Sequence, residues 1–128
     1  MTGILLVGAG GFLGANVRFA ITLWSVRRYG SRFPLSTLIA NVAGSFLLGL
    51  VLGILTDRVT NDQSLRLLIA TGFLGAETTF SAFAVESIAL LVPRTRKWAL
   101  LNIALSIVAS LAAIACGLLL AYLLTDVA

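Results

Sequence analysis

The chain has 128 residues, of which 59% are apolar and only 11% are charged. A soluble domain needs a polar exterior and typically carries about 25% charged residues, so this composition argues against an ordinary soluble fold. The chain has nine Lys and Arg and five Asp and Glu, a net charge of +4. In a membrane protein such an excess of positive charge indicates orientation in the membrane rather than a nucleic-acid partner. The absence of histidine excludes nucleophile systems that need an imidazole, so we do not expect an enzyme.

Four apolar segments are long enough to cross a membrane, which takes about 20 mostly apolar residues. They cover about 4–23, 37–55, 65–92 and 98–124. The connections between them are short and carry most of the charge. We therefore predict an all-α membrane protein, a single four-helix transmembrane domain over residues 1–128.

The basic residues are unevenly shared between the two sides of this arrangement. Six lie in the first and third connections: Arg27, Arg28, Arg32, Arg94, Arg96 and Lys97. The second connection, with Asp57, Arg58 and Asp62, has two when Arg66 is included. The positive-inside rule predicts that the six-charge side is cytoplasmic and that both termini lie outside.

Polar and small residues inside the spans are informative because polar groups are costly in hydrocarbon. In two spans they recur every four residues and so share one helix face. These residues are Thr37, Asn41, Ser45, Gly49 and Gly53 in the second span, and Asn102, Ser106 and Ser110 in the fourth. Gly10 and Gly14 precede Arg18 at the same spacing. Close helix packing explains the glycines, whereas for Asn41, Ser110 and Arg18 packing and a polar path both stay open.

The third span contains an interruption at its middle, where residues 72–79 read GFLGAETT. Glycine and threonine weaken a helix, and irregular backbone at this depth must be buried in protein or line a cavity. Freed carbonyl and N–H groups at such a break make ion sites. We predict a broken third helix, with a simple kink as the alternative.

Three segments together resemble the Fluc (CrcB) fluoride channels in order, spacing and total length. They are residues 14–19 (GANVRF), 34–44 (PLSTLIANVAG) and 72–83 (GFLGAETTFSAF), so the resemblance covers essentially the whole chain. It implies a multi-pass channel of the cytoplasmic (inner) membrane that exports fluoride passively and confers fluoride resistance. It also implies an antiparallel dimer with a structural sodium ion at its centre. The charge bias leaves a homodimer and a heterodimer with a related chain both open, with membrane lipid as the other partner.

The resemblance also assigns roles to individual residues. It implies that the backbone carbonyls of Gly75 and Thr78 hold the sodium ion. The residues that it places on the fluoride pathway are Asn41, Phe80, Phe83, Thr37, Ser110, Thr79, Glu86 and Arg18. Amide and hydroxyl donors suit a small, strongly hydrated anion, and phenyl edges carry partial positive charge. Arg18 either attracts anions at a vestibule or snorkels to the membrane interface.

Glu77 departs from the family pattern, which has an apolar residue at this place in the motif. A buried carboxylate is costly unless it is paired, protonated or bound to a cation. We hypothesise that Glu77 either adds a ligand near the central cation or points into an aqueous vestibule.

The alternative function is a small four-helix proton-coupled exporter of organic cations, because small multidrug transporters are also short antiparallel dimers. Those exporters depend on a carboxylate in the first span. Here the first span has Arg18 and no acidic residue, and the membrane carboxylates Glu77 and Glu86 both lie in the third. A purely structural subunit would leave the break without a purpose, so the channel interpretation is favoured.

Overall fold

The computed structural model describes residues 1–56 and 62–125 of the chain. Every regular element in these two stretches is helical. The three long helices are α1 (Thr2–Tyr29), α2 (Leu35–Thr56) and α6 (Arg96–Thr125). The third span, Gln63–Ala89, is built from α3 (Gln63–Leu65), a π-helix (Arg66–Leu74), α4 (Gly75–Glu77) and α5 (Phe80–Ala89).

Four helices in the described residues are long and apolar enough to cross a membrane. This confirms the predicted all-α, multi-pass membrane protein. Asp57 and Arg58, which the sequence analysis assigns to the second connection, lie outside the described residues.

The helix ends differ from the predicted limits for local reasons. α1 continues to Tyr29 and stops at Gly30, whose positive φ of 77° suits glycine and whose N–H bonds the Val26 carbonyl. The third span stops at Ala89 instead of 92, because Pro93 lacks an N–H and disfavours helical backbone in the residue before it.

Large apolar side chains lie on the outside of the bundle, and small or polar ones lie inside. Ile4 and Ile88 are 80% and 68% exposed, whereas the buried polar set includes Ser87, Asn102 and Ser106. Asn102 Nδ2 donates to Ser87 Oγ at 3.0 Å and joins α6 to α5. This distribution is the reverse of a soluble core and suits helices that turn their large side chains towards lipid.

Glycine lets α2 and α6 approach backbone to backbone. A Cβ atom added at Gly117 would lie 2.8 Å from the Leu50 nitrogen, and one at Gly49 would lie 3.1 Å from the Leu118 nitrogen. Small residues at such contacts are the usual device for packing helices in lipid. The polar stripe of α2 is thereby held against α6.

The same device joins α1 to the third span. A Cβ at Gly14 would lie 2.8 Å from the Phe73 carbonyl carbon, so no side chain fits there. Gly3 faces Leu67 and Gly11 faces Ala76, which means that the two helices run in the same direction.

We predict that Gly14→Ala destabilises the protein by about 1–3 kcal/mol, because the new methyl group forces the Phe73 backbone away. Gly8 lies on the same helix with open space around it, so Gly8→Ala is the matched control. It should be neutral or stabilising by up to about 1 kcal/mol. Unfolding of both variants in detergent tests this, and equal stabilities would contradict the packing described.

Candidate functional site

The third span contains two residues in extended backbone, Thr78 and Thr79. Their φ and ψ angles are −81° and 158°, and −155° and 124°. Helix resumes at Phe80, and Thr79 caps it by accepting a hydrogen bond from the Ala82 N–H at 3.3 Å. The extended stretch is shorter than the predicted 72–79, since Gly72 still lies in the π-helix.

Asn41 of α2 holds this extended backbone in place. Its Nδ2 donates to the Thr79 carbonyl at 3.0 Å, and its Oδ1 accepts from the Thr79 N–H at 2.7 Å. A side-chain amide offers both a donor and an acceptor, so a single residue pairs both main-chain groups of Thr79. In hydrocarbon an unpaired backbone group costs several kcal/mol. The Asn41 amide therefore stabilises the non-helical backbone.

These bonds have a consequence for the carbonyls one turn earlier. In a continuous helix the Thr79 N–H would bond the Gly75 carbonyl, and the Ala82 N–H would bond the Thr78 carbonyl. Here the two N–H groups bond Asn41 Oδ1 and Thr79 Oγ1 instead. The Gly75 and Thr78 carbonyls thus lack their helical partners, and carbonyl oxygens are ligands for hard cations.

A cavity of about 290 Å³ lies beside the break. It brings together six of the predicted residues: Asn41, Thr78, Thr79, Phe80, Phe83 and Ser110. The rings of Phe80 and Phe83 have centroids 5.5 Å apart and planes 52° apart. The cavity therefore combines an amide, hydroxyl groups and the edges of two phenyl rings.

A second cavity, also about 290 Å³, lies where α1 ends and α2 begins. Polar residues that line it are Thr22, Ser25, Ser31, Arg32, Ser36 and Glu86. Thr37, one turn before Asn41, donates its hydroxyl hydrogen to Glu86 Oε1 at 2.7 Å. The bond therefore joins a residue that lines the second cavity to the residue one turn before Asn41, which lines the first. Glu86 Oε2 is buried and has no hydrogen-bond partner.

Besides Thr37, three predicted residues line neither cavity. Arg18 is half-buried on α1, and Gly75 is exposed on the surface of the chain. Glu77 is 3% exposed, and its Oε2 atom has no hydrogen-bond partner. A Cβ at Gly44 of α2 would overlap the Glu77 carboxylate. The structure therefore places Glu77 against α2 and not at the mouth of either cavity.

Two polar residues that line the first cavity were not among the predicted site residues. Ser45 follows Asn41 by one turn on α2, and Ser106 precedes Ser110 by one turn on α6. The four-residue spacing in the sequence includes both. It could not assign them to a cavity, because the same spacing is typical of simple helix packing.

We predict that Asn41→Ala destabilises the fold by about 1–3 kcal/mol for each backbone group of Thr79 that it leaves unpaired. Asn16→Ala is the matched control, since Asn16 is exposed and bonds only the Phe12 carbonyl of its own helix. It should change stability little. Thermal unfolding in detergent measures both, and equal losses would argue against the role given to Asn41.

Comparison with known proteins gives a family for this chain. Residues 5–118 match the family model described as CrcB-like protein, Camphor Resistance (CrcB). A protein of Rhizobium meliloti named fluoride-specific ion channel FluC is 42% identical over 120 residues, which cover 94% of this chain and 96% of the relative. Proteins with the same name from Clostridium perfringens and Agrobacterium fabrum are 37% and 38% identical over 120 residues, with 94% of this chain covered.

An ion channel is not an enzyme, so the names of these relatives agree with the prediction from composition. Their match extends over almost the whole chain and includes all three motif segments. The resemblance seen in the sequence is confirmed, and the chain belongs to the CrcB-like family.

Proposed function

We propose that this chain is a fluoride-specific channel through which fluoride leaves the cytoplasm passively across the cytoplasmic (inner) membrane. The observation that carries the proposal is the cavity lined by Asn41, Ser110, Phe80 and Phe83 beside the extended Thr78–Thr79 backbone. Support also comes from relatives up to 42% identical over nearly the full chain that bear the name of such a channel.

The chemistry of the cavity suits fluoride. Fluoride is small and strongly hydrated, so a pore must replace its water with hydrogen-bond donors. Ser45, Ser106 and Ser110 offer hydroxyl donors, and Asn41 retains one amide hydrogen beyond the one bonded to Thr79. Phe80 and Phe83 add ring edges, which attract an anion weakly. Weak, multiple contacts favour conduction, because an ion must leave each site as easily as it enters.

The second cavity extends this path towards the end of α2 that carries the first connection. Glu86 lines the second cavity and accepts a hydrogen bond from Thr37, which lies one turn before Asn41 of the first cavity. We propose that fluoride passes this point by replacing the Glu86 carboxylate as the acceptor of the Thr37 hydroxyl. The four-residue spacing of Thr37, Asn41 and Ser45 then provides successive donors along α2.

We further propose that the Gly75 and Thr78 carbonyls hold a structural sodium ion between two antiparallel chains. These carbonyls lack their helical N–H partners, and Gly75 is exposed where a second chain can reach it. A bound cation supplies fixed positive charge in a low-dielectric interior. The predicted cytoplasmic side carries six basic residues and the other side two, which favours one orientation of this chain in the membrane. The antiparallel partner is therefore either a copy that inserts the other way or a related chain with the opposite orientation.

We predict that proteoliposomes containing the protein release fluoride and not chloride. Asn41→Asp removes the free amide hydrogen and should lower fluoride efflux by about tenfold, the effect of losing roughly 1.4 kcal/mol of hydrogen bonding. Phe80→Ile removes a ring edge that attracts the anion weakly, so it should lower the efflux by a smaller factor, about two- to fivefold. Phe19→Ile is the matched control, because Phe19 is also an exposed phenylalanine but does not line the cavity. A fluoride electrode measures the efflux.

Proton-coupled uptake of an organic cation without fluoride efflux would overturn the channel proposal in favour of the exporter alternative. Equal loss in Phe19→Ile and Phe80→Ile would remove the role proposed for the cavity.

We predict that sodium raises the midpoint of thermal unfolding relative to N-methylglucamine at equal ionic strength. A ligand at 100 times its dissociation constant stabilises the folded state by about 2.7 kcal/mol. The measurement is independent of fluoride transport. Identical midpoints in the two salts would contradict a structural sodium site.

A further inference from the structure

Glu77 is a buried carboxylate that the proposed fluoride pathway does not use. The side chain is 3% exposed, and Oε2 has no hydrogen-bond partner. A Cβ atom at Gly44 would come within 3.4 Å of the Glu77 Cδ atom, so the glycine leaves room for this carboxylate. An unpaired charge in a low-dielectric interior is strongly unfavourable. Unless the carboxylate is protonated or bound to a cation, a compensating positive group must therefore lie near it.

The register between α1 and the third span points to that group. The two helices run in the same direction, and Gly14 packs directly against the Phe73 backbone. One turn further along each helix are Arg18 and Glu77. The two charges therefore lie at the same level of the bundle. Arg18 does not hydrogen-bond the Oε2 atom of Glu77, which has no partner, so any interaction between the two side chains is one of charge across the α1 interface.

The third span carries a second carboxylate, Glu86. Glu86 differs from Glu77 because Thr37 donates a hydrogen bond to it. It also lines the second cavity, whereas Glu77 lines neither. Of the two carboxylates, Glu77 is thus the one that has no hydroxyl donor and no cavity beside it.

We propose that Glu77 is the interior counter-charge of Arg18, and that it limits how strongly Arg18 attracts anions into the bundle. Glu77 is then a positioning residue that acts through Arg18 and does not touch the permeating ion. The effect on transport rests on the proposed fluoride-channel function. The coupling between the two charges does not.

A double-mutant cycle on stability tests the coupling. Glu77→Gln and Arg18→Gln each leave the other charge uncompensated, so each should lower the midpoint of thermal unfolding by several degrees. The double variant should lose clearly less than the sum of the two. Glu77→Gln with Arg94→Gln is the matched control. Arg94 is exposed in the third connection, so that pair should be additive.

Additive losses for Arg18 and Glu77 would overturn the inference. It would also fail if Arg18→Gln couples to Glu86→Gln and not to Glu77→Gln. If Arg18→Gln does not fold, Arg18→Lys replaces it. Because the lysine keeps the positive charge, Arg18→Lys should leave Glu77 compensated and the midpoint near that of the unaltered chain. A large loss in Arg18→Lys would then count against a charge interaction.

Transport provides the second readout. Glu77→Gln should raise fluoride efflux about two- to fivefold at low ionic strength, and the difference should vanish at high salt as the uncompensated Arg18 charge is screened. A salt-independent change would overturn this part. Coupling in the stability cycle without fluoride efflux from any variant would reject the channel proposal and retain the charge pair. Fluoride efflux from the unaltered chain, together with additive losses in the stability cycle, would retain the channel proposal and reject the charge pair.

Discussion

A membrane interior offers no water to an unpaired peptide group, and the structure around Thr78 and Thr79 follows from this constraint. The two residues leave the helix, so their polar groups need partners from elsewhere. Asn41 pairs both main-chain groups of Thr79, and the Thr79 hydroxyl accepts from Ala82. These bonds use the N–H groups that a continuous helix would direct to Gly75 and Thr78. The interactions that stabilise the break are therefore also the ones that free two carbonyls.

The Asn41 contact depends in turn on how closely α2 approaches the third span. Gly44 lies one turn after Asn41, and a Cβ there would collide with Glu77 and Thr78. Any larger residue would push α2 away and draw the Asn41 amide out of reach of Thr79. On its other side, α2 meets α6 through Gly49. Small residues thus fix the position of α2, and that position brings Asn41 to the extended backbone.

The sequence predicts the features of this arrangement that depend on local periodicity, but not those that depend on contacts between residues far apart in the chain. The four-residue spacing of Thr37, Asn41 and Ser45 correctly predicts a shared helix face, because this periodicity is local. The bonds from Asn41 to Thr79 and from Thr37 to Glu86 join residues 38 and 49 positions apart. Nothing in a single sequence specifies those pairings.

The exact position of the break was equally hard to predict. Glycine and threonine in residues 72–79 all weaken a helix, but the structure keeps Gly72 helical and extends only Thr78 and Thr79. Gly72 packs against the backbone of α1 near Gly10, so its lack of a side chain serves packing instead of a break. The direction of Glu77 also depends on packing, because the space that accepts it exists only where Gly44 of α2 lies opposite.

Under the proposed channel function, the charges within the spans limit how fluoride can cross the bundle. Arg18, Glu77 and Glu86 together carry one net negative charge if all three are ionised, which by itself repels fluoride. If Arg18 compensates Glu77, the uncompensated carboxylate is Glu86, whose Oε1 accepts from Thr37 beside the second cavity. A cation at the Gly75 and Thr78 carbonyls would then offset charge at the level of the first cavity. On this account the most repulsive point for fluoride is the bond between Thr37 and Glu86, and not the cavity beside the break.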